Sequence, residues 1–263
     1  MQFGLRNAPA AFQRMVNGLF HDLADVNIVL YLDDIIIFSS DPTKHDDEVR
    51  EVLCRLREAE LFLKPEKCQF RTTSVDYLGL KITPGHVGMD PVKVSGITNW
   101  PTPQNVRNIN QFLGFCNFYR CFIESYTKLS APLERLKRKD VLWRWGVEEQ
   151  RAFDGLKRAF VEAPVLVMPD MEAGFHVETD ASDFAMGAIL SQQGPDGDWR
   201  PIAYYSKALQ PAERNYQVYD KELLAVVKAL ETWRPYLEGN PHCIDIFSDH
   251  RNLKFFMTTQ DLN

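Results

Sequence analysis

At 263 residues, 45% apolar and 25% charged, the chain has the composition of an ordinary soluble globular protein, with length for one large domain or two to three small ones. A formal charge of −6 speaks against nucleic-acid binding by the chain as a whole, so local charge is the better guide. No apolar run is long enough to cross a bilayer and no signal peptide is evident, while five cysteines without a Cys-x-x-Cys spacing argue for reduced thiols in an intracellular protein and against a zinc site.

Asn7 and Pro9 open a helix in which Phe12, Met15, Val16, Leu19, Phe20 and Leu23 recur at three- and four-residue spacing. Two apolar strands follow between Val26 and Phe38, with Asp33 and Asp34 in the tight turn joining them. A turn built for stability would prefer Asn-Gly or Asp-Gly. Two carboxylates about 5 Å apart instead repel by about 3 kcal/mol at an effective dielectric near 20. A divalent cation that prefers hard oxygen ligands, Mg²⁺ or Mn²⁺, would compensate; an exposed acidic turn that binds nothing is the alternative. A second amphipathic helix runs from about Asp46 through Val49, Leu53, Leu56 and Leu61, and short strands and turns occupy Lys64 to Ile82.

From Asp90-Pro91 the pattern changes to helices punctuated by proline, expected near Val106–Tyr119, Leu129–Lys137 and Val147–Glu162. Phe112, Phe115, Phe118, Phe122 and Tyr126 form an aromatic stripe, which at helical spacing reads as core rather than as a stacking platform for bases. The run Arg135-Leu136-Lys137-Arg138-Lys139 is either a solvated face or a track for a phosphate backbone.

A new unit starts near Gly174, with strands at Phe175–Asp180, Ala185–Ser191 and Pro201–Ser206, a turn at Gly194-Pro195-Asp196-Gly197, a long helix from Tyr216 to Trp233, and a fourth strand at Cys243–Ser248. If the first and fourth strands lie parallel and adjacent, Asp180 and Asp249 emerge together at one carboxyl edge. Glu222, bordering the buried stripe of the crossover helix, can point to the same edge. Three carboxylates from three elements fit a pair of divalent cations about 3.5–4 Å apart, the arrangement that cleaves phosphodiesters. Glu178, Asp183 and His250 lie close by in sequence and are given no catalytic part, although Glu178 shares strand parity with Asp180.

Tyr31-Leu32-Asp33-Asp34 between apolar strands resembles the metal-binding turn of the reverse transcriptase palm, and Gln2-Phe3-Gly4-Leu5-Arg6-Asn7-Ala8-Pro9-Ala10-Ala11-Phe12-Gln13 resembles the nucleotide-seating motif upstream of it. Tyr77-Leu78-Gly79 resembles the primer-grip hairpin. Asn99-Trp100-Pro101, Phe112-Leu113-Gly114, Asn117-Phe118-Tyr119-Arg120 and Thr179-Asp180-Ala181-Ser182 are similar to the pol polyprotein of gypsy-type (Metaviridae) LTR retrotransposons, so the resemblance spans essentially the whole chain.

The resemblance implies an α+β reverse-transcriptase palm in part (1–85), helical thumb and connection segments (86–172), and an incomplete α/β ribonuclease H-like domain (173–263). It implies an RNA-directed DNA polymerase with ribonuclease H activity and two Mg²⁺ (or Mn²⁺) ions per site, held by Asp33 and Asp34 in one and by Asp180, Glu222 and Asp249 in the other. Phe3, Gly4, Gln13 and Tyr31 would shape the nucleotide and template pocket, and Leu78 and Gly79 would position the primer. Implied partners are RNA template, DNA primer, RNA–DNA hybrid and dNTPs, with no membrane, in the cytoplasm (a virus-like particle) and the nucleus. Gln2 departs from the proline usual in its motif, and the fingers, the first palm aspartate, the fourth ribonuclease ligand and the last ribonuclease elements lie outside the chain. The isolated chain is therefore expected to lack polymerase activity and to cleave hybrids feebly at most. A catalytically inactive nucleic-acid-binding remnant of a decayed or domesticated element is the alternative.

Overall fold

The computed structural model of the protein describes residues 6–248. The chain divides between Thr72 and Thr73 into two compact units.

In the first unit, helix α1 (Ala8–Leu19) has proline in its first turn, where the missing N–H has no intrahelical partner to lose. Strands β1 (Ile28–Tyr31) and β2 (Asp34–Ile37) pair antiparallel, from Ile28 opposite Ile37 to Tyr31 opposite Asp34. Helix α2 (His45–Glu58) carries Asp46, Asp47 and Glu48 in its first turn and Arg55 and Arg57 in its last, the charge order that its dipole favours. Val16, Phe20, Ile28, Val52 and Leu56 form the core. Both guanidinium nitrogens Nη1 and Nη2 of Arg55 reach the Asp22 carboxylate, at 2.5 and 2.8 Å, and hold its pKa at about 2.

In the second unit, β3 (Val75–Tyr77), β4 (Leu80–Thr83) and β5 (His86–Met89) form an antiparallel meander. The boundary expected at 85/86 falls inside the β4–β5 hairpin. Helix α3 (Pro91–Thr98) is capped by Asp90, whose carboxylate accepts from Val92 N–H, and α4 (Val106–Phe118) by Asn105, which accepts from Asn108 N–H. Helices α5 (Tyr126–Arg135) and α6 (Val147–Glu162) follow, and β6 (Leu166–Val167) then returns to β5 as the fourth strand of the meander.

The helices close over Phe112, Leu133, Phe153, Leu156 and Phe160. The aromatic stripe is core at Phe112, Phe122 and Tyr126, but Phe118 is 57% exposed. Three-residue steps advance by 300° on a helix, so Phe118 lies about 120° around α4 from Phe112 and leaves the buried face.

Further along, β7 (His176–Ala181), β8 (Ala185–Gln193) and β9 (Trp199–Ala208) run antiparallel in succession. Helix α7 (Val218–Leu237) crosses over to β10 (Asp245–Ser248), which pairs parallel with β7, giving the order β10-β7-β8-β9. Val177, Leu190, Ile202, Ala229 and Trp233 fill the space between sheet and helix. On the other face the His176 ring stacks on Phe247 and meets Trp199 at a tilt, with centroids 4.3 and 4.4 Å away.

Candidate active sites

The first acid pair differs in one respect from the expected turn. Because Tyr31 and Asp34 close the ladder, the two turn residues are Leu32 and Asp33, and Asp34 is the first residue of β2. Leu32 has φ +52°, a left-handed conformation that costs a side-chain-bearing residue roughly 1–2 kcal/mol. Gln13, on α1, holds it there. Its Oε1 accepts from Leu32 N–H at 2.6 Å, and its Nε2 donates to Asn17 Oδ1 at 2.7 Å and to Leu30 O at 3.4 Å. Asp33 and Asp34 are both exposed at this end of the hairpin, two adjacent carboxylates whose hard oxygens suit a divalent cation.

Gln13 and Tyr31, both expected at the nucleotide and template pocket, line one groove of about 500 Å³ with Asn17, His21 and Leu30. Gln13 is thus first of all a clasp on the acidic hairpin, a role with no signal in local sequence because donor and acceptor are 19 residues apart. Phe3 and Gly4 lie outside the described residues. Gln13→Leu is expected to destabilise the first unit by about 1–2 kcal/mol, the net worth of the lost hydrogen bonds, and to speed exchange of the Leu32 amide. Hydrogen exchange read by NMR checks this; an unchanged Leu32 protection factor would refute the clasp.

The parallel pairing expected of the first and fourth strands of the C-terminal sheet is present between β7 and β10, with Ser248 opposite Thr179. Glu222, on the first turns of α7, is only 2% exposed. Its Oε1 accepts from Ala181 N–H at the end of β7 (3.2 Å), and its Oε2 accepts from Ser248 Oγ at the end of β10 (3.3 Å). One buried carboxylate is thereby seated at the carboxyl edge of both parallel strands. Asp180 precedes Ala181 on the same edge and is exposed, its parity placing it on the sheet face opposite Val177 and Thr179.

Glu178 shares that parity but is taken up by His176, whose Nε2 lies 2.9 Å from Glu178 Oε1. Asp249 lies outside the described residues, among which no group of three His, Cys, Asp or Glu side chains is gathered closely enough to hold a metal ion. Glu222 brings carboxylate oxygens to this edge and Asp180 stands on the strand end beside it, and oxygen donors of this kind suit a hard divalent cation.

Leu78 and Gly79 form the two-residue turn between β3 and β4, and both have positive φ, +50° and +80°. That is the backbone signature of a type I′ hairpin. Tyr119 Oη donates to Gly79 O at 3.0 Å and fixes the turn to the helical core.

The basic run is less free than its composition suggests. Arg135 Nη2 bridges Glu148 (2.9 Å) and Glu149 (3.0 Å), and Lys137 pairs with Glu134 at 2.7 Å. Two of its four cations are therefore occupied within the fold.

A family described as "Reverse transcriptase (RNA-dependent DNA polymerase)" matches residues 1–82, and one described as "RNase H-like domain found in reverse transcriptase" matches residues 145–244. The Transposon Tf2-3 and Tf2-7 polyproteins of Schizosaccharomyces pombe are 38% and 37% identical over 255 residues, 96% of this chain and 19% of theirs. The chain thus spans about a fifth of the length of the curated relatives it matches. Two solved structures share its fold at 24% identity. One is a foamy viral protease-reverse transcriptase with double-stranded DNA (TM-score 0.83; 98% of this chain, 44% of that one). The other is a foamy viral protease-reverse transcriptase with an RNA/DNA hybrid (TM-score 0.78; 98% and 35%).

Proposed function

From a chain that carries a reverse transcriptase segment followed by a ribonuclease H-like domain, as retrotransposon polyproteins do, we propose that Asp180, Glu222 and Asp249 hold divalent cations for cleavage of RNA in RNA–DNA hybrids, and Asp33 and Asp34 for primer extension. The observation that carries the reading is the seating of Glu222, buried and accepting one hydrogen bond from the end of each parallel strand. A carboxylate is almost never fully buried unless it is paired, and this one is bonded to the ends of both strands. The cations, Mg²⁺ or Mn²⁺, would activate the attacking oxygen and stabilise the leaving one.

The chain's own contribution is placement. The β7–β10 pairing and α7 fix Glu222 beside the residue that follows Asp180, and the Gln13 clasp fixes the hairpin that presents Asp33 and Asp34. Phe3, Gly4 and Tyr31 belong in this reading to the nucleotide and template pocket, and the Leu78-Gly79 turn to the primer end. The palm contribution covers 1–85, the thumb and connection 86–172 and the ribonuclease H-like domain 173–263, within a gypsy-type element acting in the cytoplasm and nucleus. Nucleic-acid partners are supported by the bound duplexes of the fold relatives, and dNTPs follow from the polymerase reading.

The test is Mn²⁺ binding by the purified chain, followed by electron paramagnetic resonance, together with cleavage of a labelled RNA–DNA hybrid. Asp180→Asn is expected to lower Mn²⁺ affinity and any cleavage together. Hybrid binding that is indifferent to metal and to Asp180→Asn would instead identify a non-catalytic nucleic-acid binder.

A further inference from the structure

Asp183 received no part in the sequence reading, yet it reaches a residue with unusual surroundings. Lys221 Nζ lies 2.9 Å from Asp183 Oδ1, with the lysine side chain 8% exposed and the aspartate 78%. A buried ammonium is unfavourable unless an opposite charge meets it. Among the described residues Asp183 is its ion-pair partner.

Lys221 immediately precedes Glu222 on α7, and Asp183 lies three residues beyond Asp180 in the β7–β8 turn. The turn is braced from within by Ser182, whose N–H and Oγ both reach Ala185 O, at 2.8 and 2.9 Å. It is tied to the helix at two successive helical residues, by Ala181 N–H to Glu222 and by the Asp183 carboxylate to Lys221.

We propose that Asp183 and Lys221 are a positioning pair that locks the strand end bearing Asp180 against the helix turn bearing Glu222, and so sets the spacing of these acids for a divalent cation. The pair is neutral as a unit, so its contribution is geometric. Asp180 has no carboxylate-to-helix bond of its own among the bonds described, and it depends on this second tether to keep its edge in register with Glu222. The inference rests on the metal-site reading above.

The experiment measures Mn²⁺ affinity by electron paramagnetic resonance in a chain carrying Asp33→Asn and Asp34→Asn, so that binding at the other acids does not contribute. Asp183→Asn is expected to weaken Mn²⁺ binding about tenfold, the scale of a lost supporting contact around a metal site, and Asp183→Glu to restore it to within about threefold. The double variant Asp183→Asn/Lys221→Met leaves no orphaned charge to unfold the chain and is expected to bind as weakly as Asp183→Asn, with faster amide exchange over 181–183. Parental affinity in the double variant would mean that the single change acted only through the stranded ammonium, and would overturn the positioning role. Failure of Asp183→Glu to restore binding would do the same. If Asp180→Asn leaves Mn²⁺ binding unchanged in this background, the metal site itself is refuted and the pair with it. If Asp180→Asn abolishes binding while Asp183→Asn does not, only the pair is refuted.

Discussion

On the proposed metal-site reading, Glu222→Gln is expected to lower any metal-dependent cleavage of an RNA–DNA hybrid by at least about a hundredfold, while leaving stability within about 1–2 kcal/mol of the parent. The two effects separate because the amide has the shape of the carboxylate. Its oxygen can still accept from Ala181 N–H, and the Ser248 hydroxyl can rotate from donating to accepting, so both strand ends keep a partner. What disappears is the negative charge, and a neutral amide oxygen is a poor substitute for a carboxylate toward Mg²⁺ or Mn²⁺. Glu222→Ala is the contrast: it also removes the acceptor of the Ala181 N–H bond and leaves space where the buried Glu222 side chain was, adding a folding penalty of about 1–3 kcal/mol. Thermal denaturation and hybrid cleavage measured on both variants check the separation. Parental cleavage by Glu222→Gln would remove the residue from the chemistry altogether.

Where the signal was local and periodic, the sequence was readable. Helix α6 occupies Val147–Glu162 as its spacing and Pro164 dictate, and the parallel neighbours β7 and β10 follow from a strand-helix-strand pattern with a long crossover. The placement of Asp33 and Asp34 at the tip of an apolar hairpin was legible in the sequence, but not the assignment of Asp34 to β2. Turn propensity does not select Leu32 for a left-handed residue; a glutamine from α1 imposes it.

Lys221 was opaque for a related reason. A lysine beside a glutamate on a helix looks solvated, and only the turn after β7 converts it into a buried ion pair. The two-residue β6 joins the meander after four intervening helices, too short and too distant to leave a local pattern. Phe118 shows the opposite failure, since a stripe counted at three-residue steps looks continuous in sequence while turning off the core in space.

Gly79→Ala is expected to destabilise the second unit by about 2–3 kcal/mol, and about 1 kcal/mol of that penalty should vanish when Tyr119 is already phenylalanine. A methyl group at Gly79 meets two separate obstacles. The backbone sits at φ +80°, where a side chain costs roughly 1–2 kcal/mol. The added Cβ would also lie 2.6 Å from Tyr119 Oη, well inside contact distance.

The tyrosine cannot swing aside cheaply. It is 3% exposed, and its ring is hemmed by Phe115, Phe118, Phe122 and Phe160 at 4.7–6.4 Å between centroids. Relief therefore means breaking its hydrogen bond to Gly79 O, worth about 1 kcal/mol. Tyr119→Phe alone should lose only that bond. In its background Gly79→Ala faces the backbone term without the clash, so the two changes combine to less than their sum. Denaturant unfolding of the four-member cycle measures the coupling. Strict additivity would show that the turn carrying Leu78 and Gly79 is held by its own backbone and not by the tyrosine beneath it.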